Sequence, residues 1–335
     1  MNLEPKISVL MITYNHDRFI RQALDSVLSQ QTEYSYEVVI GDDASTDRTA
    51  AILAEYAGKF PDRVRLLRRD KNLGMNANLA ETLAACRGEY VAMLEGDDYW
   101  TDPNKLTQQV EFLDGHPDCV NCFHNVVVFS DDPAVPVKGY QLQADGRRLL
   151  CAADLKPRYA QVDFLRGNYI PTCSVMFRRS AAGTLPPWFR KLQLGDHPLH
   201  ILCTEHGLAA YLPGVMAAYR LHAGGVWSSN TQLHRAARGL EMYEELCRHY
   251  QGRPQGGALE KWRLHAMQGT ARQLKKSGRK SEAAAMFAAY LKSALTKPAY
   301  GIANLRRVIR AAFLLLILKL GRSKKEPLKS AGSQN

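Results

Sequence analysis

Two pairs of adjacent aspartates each follow a short apolar run in this chain of 335 residues. The run 37–41 precedes Asp42 and Asp43, and the run 90–94 precedes the acidic segment Glu95–Asp98. Such runs are typical of buried parallel strands, and ligands of open α/β sheets collect at the carboxyl ends of these strands. Carboxylates that share one crevice repel each other, so the pattern predicts a bound cation, most simply a divalent metal. The alternative is that these aspartates serve turns and helix caps.

The elements that would position these carboxylates alternate between strands and helices. Strands are predicted at 7–12, 37–41, 64–67 and 90–94, with helices at about 18–30, 47–60 and 76–86. This order predicts a mostly parallel α/β sheet with right-handed crossovers. Further along, the sequence predicts helices at 105–113 and 199–206 and strands at 120–129, 173–177, 209–212 and 215–220.

The α/β pattern ends near residue 230, and helical periodicity follows. Helices are predicted at 232–250, 259–276 and 282–295, and the last two resemble a tetratricopeptide-type hairpin. We therefore expect an α/β domain at 1–230, a C-terminal helical region at 231–300, and a basic tail with an apolar centre at 301–335.

Charge is concentrated in that tail. The chain carries a net charge of +11, and residues 301–335 contain eight basic residues and one acidic residue. The apolar segment 311–318 is too short to span a bilayer but suits the interface of an anionic membrane. The alternative is a final helix that docks on the core. Nucleic acid is not an expected partner, because no DNA-binding motif is present.

Cysteine usage and the N-terminal residues bear on the compartment. The seven cysteines are odd in number and lie mostly in apolar segments, which favours reduced thiols. The pair Cys119 and Cys122 has metal-ligand spacing, but it lies in a strand-like run, so a buried strand is the better interpretation. The first residues lack the layout of a signal peptide. We expect a cytoplasmic protein, peripheral on the inner face of the membrane.

Four motifs occur in an order and spacing that resembles the bacterial-type family 2 glycosyltransferases, which have the GT-A fold. These are a strand ending in Thr13–Asn15, the segment 38–47 with its two aspartates, Asn72–Gly74, and Glu95–Asp98. The resemblance covers roughly residues 5–230. It implies an inverting transfer from a UDP- or dTDP-sugar to a hydroxyl of a carbohydrate or lipid-linked acceptor, in cell-surface polysaccharide or glycolipid synthesis.

The resemblance also implies a metal cofactor, Mg²⁺ or Mn²⁺, which would act as a Lewis acid on the donor pyrophosphate. Asp97 and Asp98 match the family's metal-binding acidic motif, and Asp97 would also lie against the donor. Glu95 stands where the family usually has Asp, so it is at most an outer partner. His222 is a further candidate for metal or pyrophosphate, although a lone histidine is often structural. Arg220 would neutralise phosphate charge.

The family pattern places the nucleoside at the ends of the first two strands. Asp43 matches the carboxylate that accepts the imide N–H of uracil or thymine, which favours UDP or dTDP. For Asn15 the alternative is a turn residue that tolerates an unusual φ angle. The implied pocket residues are Thr13, Tyr14, Asn15, Asp43 and Asn72.

Inverting transfer needs a general base that takes the proton of the acceptor hydroxyl. In the family this base is a carboxylate far downstream, at the start of a helix, and Asp196 matches that position. The alternative role for Asp196 is helix N-capping. Glu205 is the second candidate. Trp100 and Trp227 offer flat faces on which an acceptor sugar could stack, but aromatic residues near clefts are commonly part of the core.

Other enzyme classes with alternating strands and helices fit less well. The sequence has no G-x-G-x-x-G after the first strand and no G-x-x-x-x-G-K-[ST] motif, which excludes a Rossmann oxidoreductase and a P-loop NTPase. Two alternatives stay open. One is a nucleotidyltransferase that makes nucleotide-sugars, and the other is a glycosyltransferase-like scaffold without activity.

Overall fold

A central sheet with helices on its flanks forms the N-terminal part of the chain. The computed structural model describes residues 4–138, 140–150, 155–225, 230–296 and 304–323. It divides into two compact units, Met1–Ser229 and Asn230–Asn335. Each unit is described separately below.

The first unit contains eleven strands within the described residues. They are β1 (Ile7–Thr13), β2 (Tyr36–Asp42), β3 (Val64–Arg68), β4 (Tyr90–Glu95), β5 (Tyr99–Trp100), β6 (Cys119–Phe129), β7 (Gln141–Leu142), β8 (Arg148–Leu149), β9 (Arg158–Tyr159), β10 (Met176–Arg178) and β11 (Leu208–Arg220). Its helices are α1 (Ile20–Leu28), α2 (Thr49–Lys59), α3 (Met75–Ala85), α4 (Lys105–Gly115), α5 (Gln161–Phe164), α6 (Arg179–Ala182) and α7 (Asp196–Cys203).

The order of strands across the sheet is β3-β2-β1-β4-β10-β6-β11-β5. The pairs β1/β2, β1/β4, β2/β3 and β6/β11 are parallel, while β10 runs antiparallel to both neighbours and β5 runs antiparallel to β11. Every residue of β1 is buried, as expected of a central strand covered on both faces. The predicted mostly parallel α/β fold is confirmed.

Most predicted elements lie within two or three residues of their observed bounds. The predicted strand at 173–177 is partly wrong: Thr172–Ser174 form a 3₁₀ turn, and the strand is Met176–Arg178. The Ser174 hydroxyl donates to the Pro171 carbonyl at 2.7 Å, which favours the turn. The predicted strands at 209–212 and 215–220 are one strand, β11, whose register shifts between Tyr211 and Val215.

Four helices form the second unit in the described residues. They are α8 (Gln232–His249), α9 (Gly256–Lys276), α10 (Lys280–Leu295) and α11 (Leu305–Ser323). The α9–α10 hairpin turns at Gly278, whose φ of 80° suits glycine. Its two sides are covered by α8 and α11, which share its core. No helix in the described part of the chain combines the length and apolar character needed to cross a bilayer.

The cysteines agree with the sequence prediction as far as they are described. None of the six that the structure describes forms a disulfide. Cys119 and Cys122 are both buried in β6, so the pair belongs to a core strand rather than to a metal site. Cys151 lies outside the described residues.

Candidate functional site

The ends of three neighbouring parallel strands bring the acidic residues together. In the sheet register Thr13 lies beside Asp42, and Ile12 lies beside Glu95. The residues that follow β1, β2 and β4 therefore leave the sheet at the same edge, which is where such folds bind ligands. We call Asp42–Asp43 the first acidic turn and Glu95–Asp98 the second acidic turn.

Hydrogen bonds within the protein hold the first acidic turn. Asp42 Oδ1 accepts the Ser45 backbone N–H at 3.2 Å and its hydroxyl at 2.5 Å. Asp43 Oδ1 accepts the Leu73 N–H at 2.7 Å, and its Oδ2 accepts the Gly74 N–H at 3.0 Å. Both aspartates are at most 3% exposed. The structure thus connects the predicted Asp43 to the loop that contains the predicted Asn72.

The loop after β1 places the other predicted nucleoside residues. Asn15 has a φ of 56°, and its Oδ1 accepts the Thr46 N–H at 2.8 Å, so it is the turn residue that the alternative interpretation described. Tyr14 is 43% exposed beside it. Thr13 is buried against Gly96, where a Cβ would lie 2.7 Å from the Thr13 hydroxyl. Only glycine permits the two strand ends to approach this closely.

Two histidines face Asp97 in the second acidic turn. Asp97 Oδ2 lies 3.0 Å from His222 Nε2 and 3.8 Å from His16 Nε2. Burial alone would raise the pKa of Asp97, but the two histidines outweigh it, and the pKa lies below its usual value. One ligand atom from each of these residues lies within 4.8 Å of the others, which is close enough for one metal ion. A carboxylate with two imidazoles is a chemically suitable donor set for a divalent cation.

Asp98 has a different environment from its neighbour. Its Oδ1 accepts the Arg220 backbone N–H at 2.8 Å, and the Cys173 thiol interacts with its carboxylate. Its Oδ2 is buried and has no close hydrogen-bond partner among the described residues. Burial and the adjacent Asp97 raise the pKa of Asp98 well above its usual value. The unsatisfied oxygen is costly to the protein alone, which indicates a place for a cation or a donated proton. Its role as a metal ligand stays a prediction.

Arg220 is buried, and all three nitrogens of its guanidinium group have protein partners. Nε donates to the Asp97 carbonyl at 2.9 Å, Nη2 donates to Gln22, and Nη1 pairs with Asp131. The guanidinium also lies 4.8 Å from the centroid of the Phe19 ring. Arg220 therefore positions the second acidic turn, and its contact with a donor phosphate stays a prediction.

Asp196 is the first residue of α7, and Gly195 is the N-cap. The Asp196 carboxylate accepts a backbone N–H of the first helical turn, so the alternative role at the helix start stays open beside the catalytic one. Asp196 Oδ2 accepts the Asn168 amide at 2.6 Å, and Oδ1 accepts the His197 N–H at 2.7 Å. Burial raises the pKa of Asp196 despite these bonds. The expected second candidate, Glu205, lies after the end of α7.

Electrostatics place Asp196 near the second acidic turn. Burial raises the pKa of Glu95 well above its usual value, and the charges of Asp97, Asp98 and Asp196 raise it further. Asn76 of α3 holds the loop before α7, because its amide donates to the carbonyls of Phe189 and Leu194. The charge of the distant Asp196 thus acts on Glu95, the last residue of β4.

A cavity of about 380 Å³ opens beside this edge. It is lined by the loop after β1 and by the end of β11. The predicted residues Tyr14, Asn15, Arg220 and His222 all line it, together with His16.

The structure corrects the prediction for Trp100. This residue is 4% exposed, its indole N–H donates to the Cys173 carbonyl at 2.9 Å, and Lys105 Nζ lies 4.1 Å from the ring centroid. Trp100 therefore belongs to the core and has no open face for a sugar. Trp227 lies outside the described residues.

Two residues of the site were missed by the sequence analysis. His16 lies one residue after the predicted Asn15, and its position in the same loop was the available signal. Asn76 had no local signal, because its partners Phe189 and Leu194 are more than a hundred residues away in sequence.

Comparison with known proteins supports the same family that the motifs resemble. The model for glycosyl transferase family 2 matches residues 8–184, more than half of the chain. The chain belongs to this family. An uncharacterized protein of Mycobacterium tuberculosis, Rv1520, is 42% identical to this family 2 chain over 223 residues, which are 67% of this chain and 61% of that protein. The chain thus spans about three fifths of the length of this mycobacterial relative.

Other relatives have names that refer to sugar transfer. TuaG of Bacillus subtilis, named for teichuronic acid biosynthesis as a glycosyltransferase, is 28% identical over 250 residues, covering 74% of this family 2 chain and 90% of TuaG. Among solved structures, S. aureus TarS residues 1–349 with UDP-GlcNAc has a TM-score of 0.64 at 15% identity, covering 94% of this chain and 92% of that one. The mannosyltransferase PcManGT of Pyrobaculum calidifontis, with GDP-Man and Mn²⁺, has a TM-score of 0.54 at 20% identity. The match covers 94% of this chain and 88% of PcManGT. These likenesses confirm the GT-A-like fold.

Proposed function

We propose that this protein is an inverting, metal-dependent glycosyltransferase that uses a UDP- or dTDP-sugar. The acceptor is a hydroxyl group of a carbohydrate or lipid-linked molecule, in cell-surface polysaccharide or glycolipid synthesis. One observation carries the proposal: Asp97 and His222 lie close enough together to bind one metal ion, and the charge of the distant Asp196 acts on Glu95 of the same acidic turn. Membership of glycosyl transferase family 2 supports the reaction class.

The residues of the second acidic turn suit the donor pyrophosphate. Asp97 and His222 would hold Mg²⁺ or Mn²⁺, and Asp98 lies beside them with one unsatisfied oxygen. The bound cation would supply Lewis-acid stabilisation of the negative charge that develops on the leaving nucleotide. The neighbour PcManGT, whose structure contains GDP-Man and Mn²⁺, supports the use of a divalent metal with a nucleotide-sugar on this fold.

The acceptor would be activated by Asp196. A general base is most effective when its pKa approaches the working pH, and the raised pKa of Asp196 agrees with this requirement. The Asn168 amide, at 2.6 Å, orients the carboxylate by donating to one oxygen. The other lone pairs stay available for an acceptor O–H.

The identity of the nucleotide depends on the first acidic turn. Asp43 accepts two backbone N–H groups, one on each oxygen, and each oxygen can accept a second hydrogen bond. An imide N–H of uracil or thymine would suit that acceptor. The TarS complex with UDP-GlcNAc supports uridine, whereas the PcManGT complex with GDP-Man shows that another relative of this fold takes guanosine.

A thermal-shift panel tests this proposal. The protein is heated with UDP, dTDP, GDP, CDP and their sugars, each with Mn²⁺, with Mg²⁺ or with EDTA. We expect stabilisation by uridine or thymidine compounds that requires a divalent cation, since a ligand that binds only the native state raises its stability. The matched variant Asp97→Asn should fold but lose the metal-dependent part of the shift.

The outcomes also separate the alternatives. Release of pyrophosphate from a nucleoside triphosphate and a sugar phosphate would indicate a nucleotidyltransferase. No shift with any nucleotide would favour the inactive scaffold. A shift with GDP compounds alone would contradict the nucleotide assignment but not the reaction class.

We further propose that α11 binds the surface of an anionic membrane. One face of α11, formed by Val308, Ala311 and Leu318, is buried in the core of the second unit. The opposite face exposes the large apolar side chains of Leu305, Ile309, Phe313, Leu316 and Ile317, each at least 43% exposed. Arg306, Arg307 and Arg310 are exposed on the same helix. An exposed apolar face with neighbouring positive charge is typical of an interfacial helix.

Vesicle sedimentation tests the membrane proposal. We expect binding to phosphatidylglycerol vesicles that weakens with salt and is absent on phosphatidylcholine. The variant Ile309→Ser/Phe313→Ser should bind more weakly by about a hundredfold or more, because the two buried side chains together contribute about 3 kcal/mol or more. Leu295→Ser, which changes an exposed leucine of α10, is the matched control. Equal binding by all three proteins would contradict the proposal.

A further inference from the structure

His16 lies in the site but has no role in the function proposed so far. Its Nε2 is 3.8 Å from Asp97 Oδ2, and its ring is 6.0 Å from the ring of His222 at an interplanar angle of 83°. The two imidazoles therefore approach the same carboxylate from different directions. Three donor atoms, one from each residue, could surround one ion.

The backbone around His16 is rigidly held. Its N–H donates to the hydroxyl of the fully buried Thr49 at 2.8 Å, and its carbonyl accepts the N–H groups of Phe19 and Ile20 at 2.9 Å each. These bonds join the loop to the starts of α2 and α1. The ring is thus placed by the fold, and ordering it for a ligand would cost little conformational entropy.

The side chains around the ring restrict its orientation. His16 Nδ1 is buried and has no hydrogen-bond partner among the described residues. Phe19 packs on the ring of His222, with centroids 4.7 Å apart, and lies 6.3 Å from the ring of His16. The apolar Phe19 side chain thus limits the ways in which the two imidazoles can turn away from Asp97.

We propose that His16 is a metal ligand that makes this site select a transition-metal ion such as Mn²⁺ over Mg²⁺. Mg²⁺ is a hard ion that prefers six oxygen ligands and releases its water reluctantly. Two imidazole nitrogens with one carboxylate are a poor match for it. Imidazole suits the later first-row metals best, and Mn²⁺, the weakest binder of that series, still accepts a nitrogen ligand more readily than the harder Mg²⁺ does. The inference rests on the proposed metal-dependent function and names the residue that sets the choice of metal.

Direct metal titration of the apo protein tests this inference. Mn²⁺ binding is measured from the loss of the free-ion EPR signal, with MnCl₂ alone and then in competition with MgCl₂. For His16→Asn we expect Mn²⁺ affinity to fall by about tenfold or more, while Mg²⁺ affinity changes by less than about threefold. His206→Asn, which changes an exposed histidine, is the control and should leave both affinities unchanged.

A second variant tests selectivity by an expected gain in Mg²⁺ affinity rather than a loss of Mn²⁺ affinity. His16→Asp replaces a nitrogen donor with an oxygen donor, so the preference for Mn²⁺ over Mg²⁺ should fall and Mg²⁺ should bind more tightly. Thermal unfolding in EDTA shows whether each variant is folded. Preserved Mn²⁺ selectivity in both folded variants would overturn the inference.

The failures are distinguishable. If the unmodified protein binds neither metal, the proposed metal-dependent function fails. If it binds both, and Asp97→Asn abolishes binding while His16→Asn has no effect, only the role of His16 is wrong. An equal loss of both metals in His16→Asn would also overturn selectivity by His16.

Discussion

The two acidic turns have similar sequences and leave the same sheet edge, yet their chemistry differs. In the first, carboxylate oxygens of Asp42 and Asp43 accept hydrogen bonds from hydroxyl and N–H groups of the protein. In the second, Asp98 has a buried oxygen without a close hydrogen-bond partner in the described part of the chain, and Asp97 faces two histidines. A carboxylate that accepts a protein N–H on each oxygen is held in place and can still accept one N–H of a ligand, whereas a carboxylate oxygen that lacks a partner is available to a cation.

The largest expected effect tests Asp196, the carboxylate proposed as the general base. Asp196→Asn should lower the rate of sugar transfer by about 10²–10⁴-fold, because it removes a general base. Nucleotide binding in the thermal-shift panel should persist. Glu205→Gln is the matched control and should keep its activity. Unchanged transfer in Asp196→Asn would contradict the assignment.

A buried lysine in the first unit predicts a pH dependence of stability. Lys105 is fully buried, donates to Gln109 at 2.6 Å, and packs on Trp100. Burial lowers the pKa of Lys105 from 10.5 to about 7. The unfolded chain therefore binds one more proton between these values, so the free energy of unfolding should rise with pH there by about 1.4 kcal/mol per unit.

Lys105→Met isolates this contribution. The difference in unfolding free energy between the two proteins, measured with urea at pH 7 to 9.5, should favour the variant most at low pH and shrink as pH rises. The exposed Lys71→Met is the control, and its difference should not change with pH. A pH-independent difference for Lys105→Met would show that the lysine is charged in the folded protein throughout.

The first acidic turn should be sensitive to substitution even without any ligand. Asp43→Asn replaces one acceptor oxygen with an N–H₂ group that faces the N–H of Leu73 or Gly74. We expect a loss of about 1–3 kcal/mol in unfolding free energy, because a buried donor loses its partner. Urea denaturation in EDTA measures this loss. Unchanged stability would show that the turn does not depend on these bonds.

The second acidic turn should behave in the opposite way. Asp98→Asn keeps an acceptor for the Arg220 N–H and removes a buried charge next to Asp97. We expect the apo protein to gain about 1 kcal/mol or less, since an unpaired buried charge is costly. Urea denaturation in EDTA measures this change in unfolding free energy. A loss as large as that of Asp43→Asn would remove the distinction between the two turns.

Some parts of the site could be predicted from sequence and others could not. Strand ends at Thr13, Asp42 and Glu95 were predictable, because buried strands and the turn residues after them carry local patterns. The core position of Trp100 could not be predicted, because aromatic residues occur both in cores and in clefts. The partners of Arg220 include Gln22, at a separation of 198 residues, and no local pattern indicates such contacts.

By itself the sequence determined the alternation of elements, the acidic residues at the strand ends and the family, since hydrophobic periodicity and short motifs are local properties. Only the tertiary structure decided which carboxylates are satisfied and which are not. It also brought His16 and His222 to the same oxygen of Asp97, although about two hundred residues separate them. The physical reason is that hydrogen-bond satisfaction and ion coordination depend on distances across the fold, which no spacing along the chain specifies.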